Sequence, residues 1–193
     1  MAQPRVVDME REDEPVLVRE GVGVAEYLAM PETTTAHNLI EGRLYMSPAP
    51  EMRHQDIVME LATALRAFAQ EHGGHAFVSP MDCHLPDGSV LQPDVGYVSA
   101  DRAGIIERWV MGAPDIVVEV LSPGTRRFDR VKKLRAYEKN GVREAWLVDP
   151  DSQTVIVFTG EESTWRKEQS VLFGDPIPSV LAPLGSAGLE QFS

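Results

Sequence analysis

Pro114-Asp115-Ile116-Val117-Val118-Glu119-Val120-Leu121-Ser122-Pro123 is the stretch on which the fold of this 193-residue chain turns. Its centre is an almost unbroken run of β-branched hydrophobes, the mark of a strand buried on both faces. Alternation puts Ile116, Val118 and Val120 on one face and Val117, Glu119 and Leu121 on the other. One carboxylate therefore projects from a strand that belongs inside a sheet. Burying an ionised carboxylate is costly unless it is paired, hydrogen-bonded or bound to a metal. Glu119 is a residue at a strand end near solvent, half of a structural pair with a basic side chain, or the seed of a site.

Working outward, Ala76 to Ser79, Met81 to Leu85 and Val90 to Val98 read as strands, with Pro93 confining the last to an edge or a strand start. Pro86-Asp87-Gly88 forms a turn between them, and Asp101 to Gly112 is a helix or an irregular crossover. After the central stretch, Arg126 to Asn140 reads as a long helix stopped by Gly141. Ala145 to Asp149 and Thr154 to Phe158 then pair around Pro150-Asp151-Ser152.

Before it, Leu39 to Met46 reads as one strand. Glu51 opens the clearest helix, with Ile57, Val58, Leu61, Ala62, Leu65, Phe68 and Ala69 at helical spacing and Gly73-Gly74 at its end. Val22 to Met30 is a short helix ended by Pro31 and followed by a Thr33-Thr34-Thr35 linker. The acidic residues 1–20 read as a flexible arm, and residues 21–193 as one domain with an irregular C-terminal tail. The order of elements predicts an α/β fold, a mixed sheet flanked by helices.

Hydrophobic residues at 43% and charged residues at 25% are ordinary for a water-soluble protein. No apolar run approaches the roughly 18 residues of a membrane span. The acidic N-terminus is unlike a secretory or organellar targeting peptide. The single cysteine, Cys83, excludes an intrachain disulfide framework, and a cytoplasmic setting is expected. The net charge of −12 argues against a dedicated nucleic-acid binder, yet Arg126, Arg127, Arg130, Lys132, Lys133 and Arg135 crowd into ten residues. Such a ridge attracts phosphate locally even on an acidic protein.

Around Glu119 the candidate chemistry is a small set. Asp94, in Gln92-Pro93-Asp94-Val95, starts a preceding strand; if the two strands are adjacent, both carboxylates can converge on a hard cation such as Mg²⁺. By itself, an Asp after a proline is most often a turn residue. Asp129, Lys133 and Tyr137 fall on roughly one helix face, so Lys133 either reaches that site or makes an ordinary i,i+4 pair with Asp129. His54 shares a stripe with Ile57, Leu61 and Leu65, where a histidine is more often a satisfied core residue than a catalyst. Dinucleotide, zinc and nucleophile-elbow patterns fail: Gly21-Val22-Gly23 lacks a third glycine, Cys83-His84 lacks companions, and Leu184 occupies the first glycine position of an elbow.

Pro93-Asp94 followed by Glu119-Val120-Leu121 resembles the PD-(D/E)XK superfamily, the restriction-endonuclease-like nucleases. More closely, the chain resembles the bacterial Uma family of restriction-type endonucleases. The matching stretches are His54-Gln55, Gln92-Pro93-Asp94-Val95, the central stretch from Pro114 to Pro123, Arg126-Arg127-Phe128-Asp129 with Lys133 and Tyr137, and Gly141 to Pro150. They run in order over about residues 22–185. The resemblance implies an endonuclease that hydrolyses DNA, with RNA as an open alternative. It implies Mg²⁺ or Mn²⁺ on Asp94, Glu119 and the Val120 carbonyl, and catalytic roles for Asp94, Glu119, Lys133 and His54. It further implies phosphate contacts from Arg126, Arg127 and Arg130, and a homodimer. Two departures stand out. Leu121 sits where the superfamily usually has its lysine, with Lys133 as the substitute, and Asn38 replaces an acid in Asn38-Leu39-Ile40-Glu41-Gly42. Asn38 and the net charge keep a catalytically silent binding or assembly module open as the alternative.

Overall fold

The computed structural model describes residues 15–31 and 35–193. Eleven strands among them form two sheets. The larger has the order β11-β10-β9-β8-β7-β4. Here β4 is His75–Val78, β7 Val95–Val98, β8 Ile116–Val120, β9 Glu144–Asp149, β10 Thr154–Glu161 and β11 Thr164–Leu172. The smaller sheet, β1-β3-β2-β6-β5, is built from β1 Val16–Glu20, β2 His37–Ile40, β3 Arg43–Met46, β5 Cys83–His84 and β6 Val90–Leu91. The fold is the mixed α/β domain expected.

At the centre, β8 pairs antiparallel with β7 and parallel with β9. A parallel pair needs a crossover, and the helical segment 126–139 supplies it. Every residue of β8 is buried. Its two faces meet different layers. Ile116, Val118 and Val120 pack with Ile57, Leu61 and Leu65 of α2 (Met52–His72). Val117, on the opposite face, packs with Phe128, Ala136 and Tyr137 of the 126–139 segment and with Ile40, Tyr45 and Leu91 of the smaller sheet. Leu121 closes a further cluster with Leu147 and Ile156.

Four expectations change. Leu39 to Met46 is a hairpin, β2–β3, because Glu41 and Gly42 both take positive φ, 48° and 76°, the backbone of a primed two-residue turn. The 90–98 strand is two strands in different sheets. Pro93 offers no N–H to a ladder, so β6 pairs with β2 through Leu39 and Val90 while β7 joins β8. Within the supposed arm, β1 pairs antiparallel with β3; the rest of the arm, residues 1–14, and Thr33-Thr34 of the linker lie outside the described residues. The tail region gains β11, paired along its length with β10. A short helix, α1 (Val24–Leu28), and 3₁₀ turns at Ala100–Ile105 and Leu189–Phe192 complete the described residues. Among these, no helix is long and apolar enough to cross a membrane.

Candidate active site

At the end of β8 the chain places four of the expected side chains around one cleft of about 410 Å³. Glu119 is anchored through both oxygens. Lys133 Nζ donates to Oε2 at 2.8 Å and the Tyr137 hydroxyl to Oε1 at 2.6 Å. Asp94, just before β7, is fixed through one oxygen, Oδ2. It accepts the Val120 N–H at 2.8 Å and faces His54 Nε2 at 3.2 Å. The antiparallel register of Val95 with Val118 sets Asp94 beside the end of β8. His54 reaches it from the first turn of α2, so the stripe that reads as core at Ile57 and Leu61 begins on the site. Its other ring nitrogen, Nδ1, is buried and has no partner among the described residues.

Lys133 comes from an irregular stretch. Segment 126–139 is α-helical over Arg126–Phe128 and Leu134–Lys139, but Asp129–Lys133 is a π-turn. In an ideal α-helix, residues at i, i+4 and i+8 drift by about 80° around the axis. A π-turn, with its wider i to i+5 closure, takes back much of that drift. Asp129, Lys133 and Tyr137 consequently stand in one row toward β8. Lys133 Nζ lies 3.6 Å from Asp129 Oδ1 and donates to the Gln92 carbonyl at 3.4 Å.

This is an electrostatically uneven cluster: three carboxylates, Asp94, Glu119 and Asp129, share one buried ammonium. Burial pushes the Glu119 carboxyl up to about 8, with Lys133 offsetting part of that and the charges of Asp94 and Asp129 adding to it. Burial also raises Asp129 against the opposing Lys133 charge. For Lys133, burial works against the charged form, but the charges of Glu119, Asp129 and Asp94 outweigh it and keep the ammonium protonated. Burial would raise Asp94 as well; the hydrogen bond and charge of His54, the Lys133 charge and the Val120 N–H hold it below the usual carboxylate range. The same pairing with Asp94 outweighs the burial of His54 and raises the imidazole.

A surplus of negative oxygen is what a hard divalent ion complements. Among the described residues, no group of three or more His, Cys, Asp and Glu side chains is placed to hold a metal. Mg²⁺ seldom needs one: it is usually held by one or two carboxylates, completed by waters and substrate phosphates. Asp94, 21% exposed at its side chain, Glu119 and Val120 all line the cleft. The donor set fits that ion.

Other members of the stretch do different work. Asp115, at the opposite end of β8, is consumed by Ser99, Arg102 and Arg143 and is structural. Arg126, expected on phosphate, is instead a bidentate partner of buried Asp149 at 2.7 and 2.9 Å and also meets Asp151 at 2.6 Å. It locks the start of the helical segment to the end of β9. Lys132 donates to the Tyr45 hydroxyl at 2.7 Å and lies over that ring. Arg127 and Arg130 are exposed and form no ion pair among the described residues. Asn38 is buried and accepts the Gln92 N–H at 3.1 Å, so it ties β2 to the segment carrying Asp94. Gln92 had no role in the sequence reading. It shares strand parity with Asp94, two residues on, and that was the available signal.

A family model described as "Uma2: Putative restriction endonuclease" matches residues 24–187, which contain every residue of the site. Among solved structures, "a putative nuclease belonging to DUF820 from Anabaena variabilis" is similar at 25% identity with a TM-score of 0.75. The likeness covers 89% of this chain and 98% of that one. No curated protein matches the chain.

Proposed function

The chain belongs to the Uma2 family of restriction-endonuclease-like proteins, and from that premise we propose that it is a divalent-metal-dependent endonuclease hydrolysing phosphodiester bonds in DNA. The observation that carries this reading is the joint anchoring of Asp94, Glu119 and Lys133 on one cleft, with a π-turn supplying the lysine that Leu121 cannot.

Mg²⁺ or Mn²⁺ would be held by the Asp94 and Glu119 carboxylates and the Val120 carbonyl, where such an ion supplies Lewis-acid polarisation and a more acidic water. The chain's own groups do the rest. Tyr137 fixes one oxygen of Glu119 and so the direction of its carboxylate. Asp129 keeps Lys133 charged and extended, and the ammonium stabilises charge that develops on the phosphate. His54, through Nε2, holds Asp94 ionised. Arg127 and Arg130 contact backbone phosphates, a role in which Arg126 does not take part. RNA offers the same phosphate chemistry. Two copies related by a two-fold axis are the arrangement suited to cutting both strands of a duplex, and a cytoplasmic location fits a DNA substrate.

Asn38 favours a second reading, a silent member of the fold: its side-chain oxygen is occupied by a backbone N–H rather than offered to a cation. Calorimetric titration of Mn²⁺ into wild type and Asp94→Ala separates the two. Saturable binding of one or two ions per chain, lost in the variant, supports the nuclease. Equal or absent binding in both overturns it in favour of the silent module.

A further inference from the structure

Next to the cleft lies a second cavity of about 550 Å³, inside the range of roughly 300–1,000 Å³ that suits a small ligand. Thr35, Pro80 and Gln92 line both, forming a common wall. Its chemistry differs from the metal cleft. Tyr27 and Trp109 contribute aromatic surface, and the Arg108 guanidinium carbon lies 4.7 Å from the Trp109 ring centre. An arginine laid on an indole is a flat wall of the kind on which nucleobases stack.

One carboxylate, Asp82, stands among the polar groups of this cavity. Asp82 Oδ1 takes the Tyr27 hydroxyl at 3.0 Å and Gln92 Nε2 at 2.7 Å. Those two bonds fix both side chains and leave the carboxylate further lone pairs, since it can accept about four hydrogen bonds. Because Gln92 Nε2 is committed to Asp82, its Oε1 is the opposite end of the amide; that oxygen is buried away from the open cavity and has no partner among the described residues. A ligand complementary to the Asp82 carboxylate brings N–H donors on a flat ring.

Gln92 also connects the two cavities. Its carbonyl accepts from Lys133 Nζ, while its side chain belongs to the Asp82 cluster. A phosphate held at Lys133 would carry its nucleoside within reach of the common wall.

We propose that this second cavity is a nucleobase subsite, taking an unstacked, amino-bearing base next to the phosphate bound in the metal cleft, with the Asp82 carboxylate accepting from the base and the Arg108–Trp109 wall stacking on it. The proposal rests on the phosphodiesterase reading for the class of ligand. Guanine, whose adjacent N1–H and N2–H donors match a carboxylate, suits Asp82 best, and uracil, lacking an amino group, does so less well.

Guanosine 5′-monophosphate, uridine 5′-monophosphate and ribose 5-phosphate, titrated calorimetrically into the full chain with Mg²⁺ present, test it without any cleavage, since none of the three carries a phosphodiester bond. The guanine nucleotide should bind roughly tenfold more tightly than ribose 5-phosphate, with the uracil nucleotide between them. Trp109→Ala and Asp82→Asn should each erase that preference; the second keeps volume and shape should the first fail to fold. Equal affinity for the guanine nucleotide and ribose 5-phosphate, or a preference that survives Asp82→Asn, overturns the subsite. Plasmid nicking by the same preparations separates the two readings. Cutting without base preference overturns the subsite alone, whereas base preference in a protein that neither cuts nor binds Mn²⁺ upholds the subsite and overturns the hydrolase.

Discussion

Arg126 and Arg130 lie four residues apart in one basic ridge, and the structure gives them opposite consequences when removed. Arg126 makes two charge-assisted hydrogen bonds to Asp149, whose side chain is 4% exposed, and one to Asp151, which is 63% exposed. The outer contact contributes about 0–1 kcal/mol. Removing a partner from a fully buried pair costs roughly 3–5 kcal/mol, but the Arg126 side chain is 32% exposed, and Asp149 retains the Asp151 N–H at 3.1 Å. Arg126→Ala should therefore cost about 2 kcal/mol. In a chain of this length that corresponds to a fall in Tm of about 4–8 °C. Arg130, exposed and without an ion pair among the described residues, should leave Tm unchanged when replaced by alanine. Its loss should appear in DNA binding: each phosphate contact contributes roughly 0.9 to the slope of log affinity against log salt. Fluorescence anisotropy with a short duplex, in a Glu119→Gln background that prevents cutting, measures that slope. Arg130→Ala should make it shallower by about one contact, and Arg126→Ala should leave it as it was. An Arg126→Ala protein with unchanged Tm and a shallower slope would refute the assignment of Arg126 to the fold and restore it to the phosphate path.

Two further outcomes are expected. Glu119→Gln should abolish Mn²⁺-dependent nicking and also flatten the pH dependence of metal-free stability. With its carboxyl at about 8 when folded and 4.5 as the ordinary value, Glu119 holds a proton in the folded state that the unfolded chain has released. Its contribution is complete below about pH 4.5 and is lost as pH rises through 8; melting curves in EDTA from pH 6 to 8.5 should fall more steeply for wild type than for Glu119→Gln, and parallel curves would remove Glu119 as the titrating group. Gly74→Ala should cost about 3 kcal/mol or more in urea unfolding, because the residue sits at φ 96° and a β-carbon there would collide with the Val98 carbonyl; a neutral effect would contradict the way α2 is joined to β4.

The parts of this fold that could be read from the chain are those whose signal is local and strong. The hydrophobic run of β8 and the helical periodicity of α2 each specify an element without reference to anything else. The smaller sheet is different, because β5 and β6 are two residues each and exist only through their partners. β11 was missed for a related reason. Its residues are mostly exposed, with half-buried ones at intervals, so its pairing with β10 leaves little hydrophobic trace. Pro93 marked a break in the 90–98 run, but not that the chain leaves one sheet for the other there. Gln92 and Asp94 flank that crossing, and both line the cleft.

The relocated lysine shows how the candidate site can depart from its motif while the physics stays the same. Position 121 shares a face with Glu119, and a lysine there would point along the strand toward the same carboxylate. Here it is Leu121, 2% exposed and packed with Leu147 and Ile156 under Leu134 and Phe158. That position has become core, and an ammonium placed in it would be buried among hydrocarbon. The positive charge Glu119 needs must then come from the layer above, where the 126–139 segment crosses β8. In a regular helix Asp129, Lys133 and Tyr137 would spread over about 80° of one face, and the π-turn at Asp129–Lys133 narrows that spread. No sequence periodicity reports a π-turn, which is why the i,i+4 spacing of Asp129 and Lys133 read equally well as a surface pair. The physical requirement lies in the strand, where a buried Glu119 between two hydrophobic layers needs a cation within hydrogen-bond reach, and the 126–139 segment brings Lys133 Nζ to 2.8 Å.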